Sequence, residues 1–398
     1  MHFACIRQGF TTLLDLFWLT SWFAWLLAVP ALYALVLTWL NLWRWPRAKD
    51  VGNSTHLGPV SVLIPARNEA HNIAKCVAAC MRLGADEVLV YDDGSTDATR
   101  EILGQLMKNG ARGLRVIEGS ALPQGWAGKP HACMQLAHNA RNNALLFLDA
   151  DVEVASDALG RLADLERRFG DSVFTAVPLQ HMGTPIERLI VPLLYTTYTS
   201  WLYLPWIHEH ADSRFLAANG QFLFLRRHTY DRVGGFGRVR GQVVDDMAFC
   251  RAAKQSGVRV LFADGARLAS CRMYLDSGSL LGGFSRSLSA GFGGSTLAIA
   301  ACGALYAWSF VLPAIVACVT TTQSPWHVPS VAATAAAWFA RGALALRFRH
   351  PLWSVIVAPL GALALLGIAA HAAVSAQQGS VLWKGRRYAA GTTSREQA

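Results

Sequence analysis

Charged side chains are scarce in this sequence. Lys, Arg, Asp and Glu make up 16% of its 398 residues, against roughly 25% in soluble domains. The shortage is local. From Leu16 to Trp43, and again from Ser287 to Trp326, there is no Asp, Glu, Lys, Arg or His. About 20 apolar residues span a bilayer as a helix, so both stretches read as membrane segments, and an ordinary soluble protein is excluded. The first is too long for a signal peptide and lacks a small-residue cleavage site, which makes it a retained anchor. Trp18, Trp22 and Trp25 near one end, with Trp39, Trp43 and Trp45 near the other, fit interfacial belts. The basic run "RWPRAK" (Arg44 to Lys49) then places the following residues in the cytoplasm.

Other absences narrow the field. The eight cysteines form no CxxC, and Cys76 and Cys80, four apart on a helical pattern, read as core thiols. That usage fits a reduced, cytoplasmic compartment. None of the twelve histidines pairs with a second at metal-ligand spacing, and there is no G-x-S-x-G and no P-loop. The net charge is +10, yet no basic run is interleaved with aromatics. A nucleic-acid partner is therefore not expected, and the positive charge suits anionic lipid.

After a polar linker the pattern changes. "VSVLI" (60–64), "EVLVY" (87–91), "LRVI" (114–117) and "ALLFL" (144–148) read as strands separated by helical periodicity. Gly84 and Gly110 end two of the helices, Ser95 to Asp97 open the second, and Ser156 caps the third. Strand alternating with helix predicts an α/β fold, a Rossmann-like and mostly parallel sheet flanked by helices. Ligands in such sheets sit beyond the carboxyl ends of the strands. "VFTAV", an aromatic stretch around Tyr195 to Trp206, and "QFLFL" follow, and from about residue 278 the chain is apolar and rich in Gly and Ala.

Acids collect at the strand ends. In "YDDGSTD" (91–97) an Asp-Gly turn and a Ser cap account for half of the pattern. Two adjacent carboxylates repel each other unless they hold a donor, such as a nucleobase N–H or ribose hydroxyls. In "LDAD" (148–151) Asp149 and Asp151 aim two hard oxygens at one point, which suits Mg²⁺ or Mn²⁺ with a diphosphate. "VVDDMAF" (243–249) places Asp245 and Asp246 in the first turn of a helix. They are either macrodipole partners or a base for an acceptor hydroxyl.

Taken in order, "VSVLIPARNEAHNI", "VLVYDDGSTDAT", "LFLDADVEV", "AANGQFLFLRRHTY" with "VGGF", and "VVDDMAF" resemble the family 2 glycosyltransferases of the A-type (GT-A) fold. "LPQGWAGKPHACMQLA" (122–137) and "WKGRRY" (383–388) are similar to the membrane-anchored branch that glycosylates carotenoids and is associated with hopanoids. The resemblance implies a donor pocket of Pro65, Arg67, Glu69, Asp92 and Asp93. It implies a divalent metal on Asp149 and Asp151, with Asp149 also at the donor and Asp151 the closer ligand. Asp246 becomes the catalytic base, with Asp245 beside it where many relatives carry Glu. Asn219, Gly220 and Gln221 fall on the acceptor side, and Lys129 at a donor phosphate, with Arg272 and Arg286 weaker candidates for that task. The implied partners are a nucleotide-sugar donor, a UDP-sugar in this branch, and a membrane lipid acceptor. Processive members carry Q-x-x-R-W after the base; residues 258–295 contain no tryptophan, so a single inverting transfer is expected.

The expected organisation is an N-terminal anchor (1–45) and a linker (46–59). A cytoplasmic transferase domain (60–290) follows, with a nucleotide-sugar half (60–155) and an acceptor half (156–290). A C-terminal membrane region (291–378) and a polar tail (379–398) complete it, giving a multi-pass protein of the plasma membrane. Spans are expected near 16–42, 297–320, 329–346 and 352–376. Strict alternation puts Lys384, Arg386 and Arg387 outside, against the positive-inside rule, and Arg341 marks 329–346 as the segment whose crossing the sequence leaves open. The aromatic stretch 195–206 and residues 280–288 are candidates for the membrane interface. The competing readings are a polysaccharide synthase, a polyprenyl-phosphate sugar transferase, and a scaffold with a vestigial nucleotide site.

Overall fold

The computed structural model describes residues 22–49, 57–111, 113–291, 295–377, 380–383 and 386–389. The start of the expected anchor, half of the linker, Lys384 and the end of the polar tail lie outside the described residues, as does the Arg286 side chain. The chain divides into two compact units. One takes in Arg44–Gly183, Leu204–Gly294 and Val374–Ala398, the other Met1–Trp43, Thr184–Tyr203 and Ser295–Ala373. Residues 184–203, written above into the acceptor half, fall in the second unit.

The first unit is built on one sheet of eight strands: β1 (Val60–Ala66), β2 (Glu87–Asp92), β3 (Leu114–Glu118), β4 (Ala144–Leu148), β5 (Val152–Val154), β6 (Val173–Gln180), β7 (Phe222–Arg226) and β8 (Val260–Cys271). Their order is β3-β2-β1-β4-β7-β6-β8-β5. The first four in that order run parallel, β7 is antiparallel to both β4 and β6, β6 and β8 are parallel, and β5 returns antiparallel along β8. The sheet is therefore mixed, with its parallel part where the sequence places the nucleotide half. β2 and β4 are buried at every residue, the reason they read as unbroken apolar runs rather than alternating ones. Helix Ile73–Leu83 lays Ile73, Val77 and Cys80 into that core and stops at Gly84, whose φ of 73° is the left-handed conformation that ends helices.

Two expectations about caps are corrected. Helix Ala158–Phe169 begins after Asp157, with no side-chain cap, so Ser156 does not cap it. Helix Thr99–Lys108 begins after Ala98, and Ser95 and Thr96 bond to a neighbouring loop instead. Two strands of the sheet, β5 and β8, were also missed. Within β8, Asp264 and Gly265 still pair in register with Val177 and Pro178, and the register shifts just after them, where Leu179 pairs with Ser270. A Cβ on Gly265 would stand 2.7 Å from the Val177 carbonyl, so only glycine passes there. Trp45 is not interfacial: it is buried, stacks on Phe262 and donates to the Phe262 carbonyl at 3.1 Å.

The second unit is helical and reverses the usual order of inside and outside. Large apolar side chains point outward: Trp22, Trp43, Leu297, Val319, Phe339 and Leu346 are each more than half exposed. Its interior holds small and polar groups, with Ala28, Ala31, Ala333 and Ala336 packed in one cluster. Thr38 lies 3.3 Å from Ser200 Oγ, and Asn41 Nδ2 donates to the carbonyls of Thr199 and Leu202 at 2.8 Å each. Helices Trp22–Arg44 and Thr296–Val319 are long and apolar enough to cross a membrane. His327–Phe348 is one continuous helix, and Trp353–Ile356 and Ala358–Gln377 follow it. Arg341 is buried, donating to the Pro192 carbonyl (3.2 Å) and Ser354 Oγ (3.3 Å). A charged group on a lipid-facing surface would cost about 2.5–3.5 kcal/mol on insertion scales, which is why this one turns inward. Tyr195 is likewise interior, its ring centroid 4.2 Å from that of Phe348.

Candidate active site

The loop after β1 and the loop after β2 are stitched to each other. Asn68 adopts φ 54° and accepts from the Thr96 amide at 2.8 Å, while its own N–H reaches Ser95 Oγ at 3.0 Å. The Glu69 amide donates to Thr99 Oγ1 (2.8 Å), and the Ala70 amide to Asp97 Oδ2 (3.0 Å). The Arg67 guanidinium donates to the Asp93 carbonyl. The polar residues of "DDGSTD" thus shape the wall of a cleft, leaving Arg67, Glu69 and Asp93 along it.

The two adjacent acids part company there. Successive side chains at a strand end point to opposite sides, and Asp92 turns inward. Its carboxylate accepts from the Ser95 amide (2.9 Å) and from Arg100 Nε (3.3 Å), and it is fully buried. Asp92 is therefore a structural residue rather than part of the cleft wall, and Arg100 supplies the donor that its position required.

The cleft has a volume of about 440 Å³ and opens beyond the carboxyl ends of β1 and β4. Pro65, Arg67, Glu69, Asp93, Lys129, Asp149, Asp151 and Asp245 all line it. Lys129 stands in the first turn of helix Gly128–Asn139, with Nζ 2.7 Å from Asp149 Oδ1 and 3.9 Å from Asp245 Oδ1. Asp246 lies just past this group, in a small adjoining cavity with Lys129, Asp149 and Gly220. Its Oδ2 accepts from the Gly220 amide at 2.8 Å and its Oδ1 from the Met247 amide at 2.7 Å. A Cβ on Gly220 would sit 3.2 Å from Lys129 Nζ and 3.0 Å from Asp246 Cβ, so the close approach of both side chains to this backbone depends on that glycine.

Asn219 and Gln221 are placed differently from expectation. Both are buried: Asn219 Oδ1 accepts from the Gln221 amide (3.0 Å), and Gln221 Nε2 donates to Cys271 Sγ (2.8 Å). The resemblance that put them on the acceptor side carries no information on which way these side chains turn. Conversely, the far wall of the cleft, Val243, Val244, Met273, Tyr274 and Ser279, went unnoticed along with Asp276. Most of it follows β8, the strand the sequence concealed; Arg272, the weaker phosphate candidate, lines it too.

Residues 61–207 match the model of Glycosyl transferase family 2. The chain carries a family 2 glycosyltransferase domain. It is 25% identical over 245 residues to the 4,4'-diaponeurosporenoate glycosyltransferase of Staphylococcus aureus (strain USA300), covering 59% of this chain and 62% of that one. Against the enzyme of the same name from strain MRSA252 the figures are 26% over 260 residues, 63% and 66%. The alignment thus takes in less than two thirds of these relatives' length. Among solved structures, a mannosyltransferase from Pyrobaculum calidifontis in complex with GDP-Man and Mn²⁺ superposes with a TM-score of 0.52 at 16% identity, over 89% of this chain and 99% of that one. That similarity establishes a shared GT-A fold.

The electrostatics of the glycosyltransferase cleft are lopsided. Six carboxylates line it (Glu69, Asp93, Asp149, Asp151, Asp245 and Asp276) against three cationic side chains, Arg67, Lys129 and Arg272. Burial opposes charge on Lys129, but Asp149 and Asp245 outweigh it and hold the ammonium well above the ordinary lysine value. Burial pushes the Asp245 carboxyl up to about 7; Lys129 pulls it back, while the charges of Asp246 and Asp149 add to the rise.

The sign of the Asp245 effect can be checked. Its folded value of about 7 lies above the ordinary 3.8, so between those limits the folded chain holds a proton that the unfolded chain lacks. This contribution is present at low pH and is lost as pH rises through about 7. Asp245→Asn is therefore expected to raise the melting temperature at pH 8 in metal-free buffer, and to do so much less at pH 4. An equal change at both pH values would show that the buried charge is not the cause.

The donor set suits a hard divalent cation. Asp149 and Asp151 offer carboxylate oxygens on either side of the buried Ala150. Among the described residues no three His, Cys, Asp or Glu converge on one point. A cation there would take its remaining ligands from substrate oxygens, as Mg²⁺ does at phosphate sites.

Proposed function

We propose that this protein is a membrane-held inverting glycosyltransferase. It would move one sugar from a nucleoside-diphosphate sugar to a lipid of isoprenoid type, carotenoid or hopanoid. The observation that carries the reading is the acid-rich cleft of a family 2 glycosyltransferase domain, at the carboxyl ends of its parallel strands. A diphosphate entering six carboxylates and three cations would be repelled, so the site calls for a divalent cation with its donor.

Asp149 and Asp151 would hold that cation, which supplies neutralisation of the charge left on the departing diphosphate. Lys129 adds a fixed positive charge beside Asp149. Asp246 is the base: its two oxygens are aimed by the Gly220 and Met247 amides, and each keeps a second lone pair for an acceptor O–H. The acceptor oxygen forms its bond to the anomeric carbon as the bond from that carbon to the diphosphate oxygen breaks, and the acceptor proton passes to Asp246. One displacement inverts the centre.

Support for a lipid acceptor comes from three directions. The outward apolar and inward polar arrangement of the helical unit is that of a protein in a bilayer. Val243, Val244, Met273 and Leu275 give the cleft an apolar portion. The curated relatives bear the name of an isoprenoid acid glycosyltransferase. The missing Q-x-x-R-W favours one transfer over polymer synthesis.

The test is a thermal-shift screen of the full chain in detergent with UDP-, GDP- and dTDP-sugars, with and without Mn²⁺. A shift with one nucleotide that requires Mn²⁺ is expected, a UDP-sugar first. No shift with any of them would favour the vestigial-site reading instead.

A further inference from the structure

Three strand ends meet behind Asp151. Gln180 closes β6, Gln221 precedes β7 and Cys271 closes β8, and all three are buried. Gln180 Nε2 donates to Gln221 Oε1 at 3.0 Å, Gln221 Nε2 donates to Cys271 Sγ at 2.8 Å, and Cys271 Sγ lies 3.4 Å from Gln180 Oε1. The remaining polar neighbour of that sulfur is Asp151 Oδ2, 3.9 Å away. A closed ring of buried amides and a thiol is costly unless every member is satisfied, and an apolar trio would fill the same place. The ring has another consequence: it turns one sulfur toward the carboxylate.

Gln221 also holds the other end of the same turn. The Asp149 amide donates to the Gln221 carbonyl at 3.2 Å, and Cys76 Sγ donates to the Asp149 carbonyl at 3.7 Å. The single S–H of Cys271 stands between two acceptors, Gln180 Oε1 and Asp151 Oδ2. Neither the nucleotide wall nor the base contributes to this arrangement.

We infer that Cys271, fixed by Gln180 and Gln221, is a positioning residue that sets the orientation of the Asp151 carboxylate in the cleft. The inference rests on the reading of Asp151 as a metal ligand. Groups that orient a ligand from behind typically change metal affinity by about 10- to 100-fold when removed.

The test is Mn²⁺ titration of the full chain in detergent, followed by electron paramagnetic resonance in the presence of excess UDP. Cys271→Ala is expected to weaken Mn²⁺ binding about tenfold or more, and Cys271→Ser, which keeps a donor, to recover most of it. If Cys271→Ala binds within twofold of the unaltered chain while Asp151→Ala loses binding, the positioning role is wrong and the ligand reading stands. If Asp151→Ala binds Mn²⁺ normally, or the unaltered chain does not bind it, the ligand reading falls and the inference with it. Should Cys271→Ala fail to fold, Gln221→Met removes the donor to the sulfur at similar volume, and unchanged Mn²⁺ affinity in that variant would overturn the inference equally.

Discussion

Asp151→Ala is expected to abolish both sugar transfer and the metal-dependent part of nucleotide binding. The charges around it set the size of the effect. Asp149 already has the Lys129 ammonium at 2.7 Å, so part of its charge is spent before a cation arrives. Asp151 Oδ2 lies 3.9 Å from Cys271 Sγ. Removing the Asp151 carboxylate leaves one carboxylate, shared with a lysine, to hold a divalent ion. The check is nucleotide affinity by calorimetry with and without Mn²⁺, alongside product formation. In the variant the two affinities should converge. If they stay apart as in the unaltered chain, the metal is held elsewhere.

Asp246→Asn should separate chemistry from binding. Asparagine keeps the volume and an oxygen able to accept from the Gly220 amide, but it cannot take a proton at neutral pH. A positioned general base contributes about 10²–10⁴-fold, so transfer is expected to fall by that factor with nucleotide affinity unchanged. The measurement is single-turnover transfer set beside the same calorimetric titration. Loss of nucleotide binding equal to that of Asp151→Ala would mean that Asp246 shapes the donor site, and the roles would have to be exchanged. Asp245 is the natural control. It is buried beside Lys129, whereas Asp246 is the more exposed of the pair, so its replacement should move the pH dependence of stability first.

Much of this site could be read before any coordinates existed, for a simple reason. A parallel strand buried on both faces must be apolar throughout, so "ALLFL" announces itself, and any acid following it at once must lie at the strand's carboxyl end. That rule places Asp149 and Asp151 at the edge of the cleft, while the β1 loop and Lys129 were expected from the family resemblance and line the same cleft. Asp92 shows where the rule stops. Adjacent acids look equivalent in a sequence, but strand geometry sends one into the cleft and the other to Arg100.

The second half was less legible. β8 changes its register with β6 just after Gly265, where Leu179 pairs with Ser270, so no local window shows it as one strand. Because β8 was missed, the wall that follows it and the ring around Cys271 were missed too. Asn219 and Gln221 were placed on the acceptor side by the family resemblance alone. Their burial depends on β4, β6 and β8 closing around them, a matter of long-range pairing that no local window contains.

The sequence by itself determined that the chain has charge-free stretches long enough for a bilayer, an alternating strand and helix core, and acids stationed at strand ends. Those are local properties, governed by hydropathy, periodicity and the chemistry of neighbouring residues. Only the tertiary structure decided which acid faces the cleft, that Arg341 turns inward, and that a thiol and two glutamines stand behind Asp151. Each of these depends on what a distant segment places within a few ångströms, and burial and hydrogen bonding then select one orientation for every group.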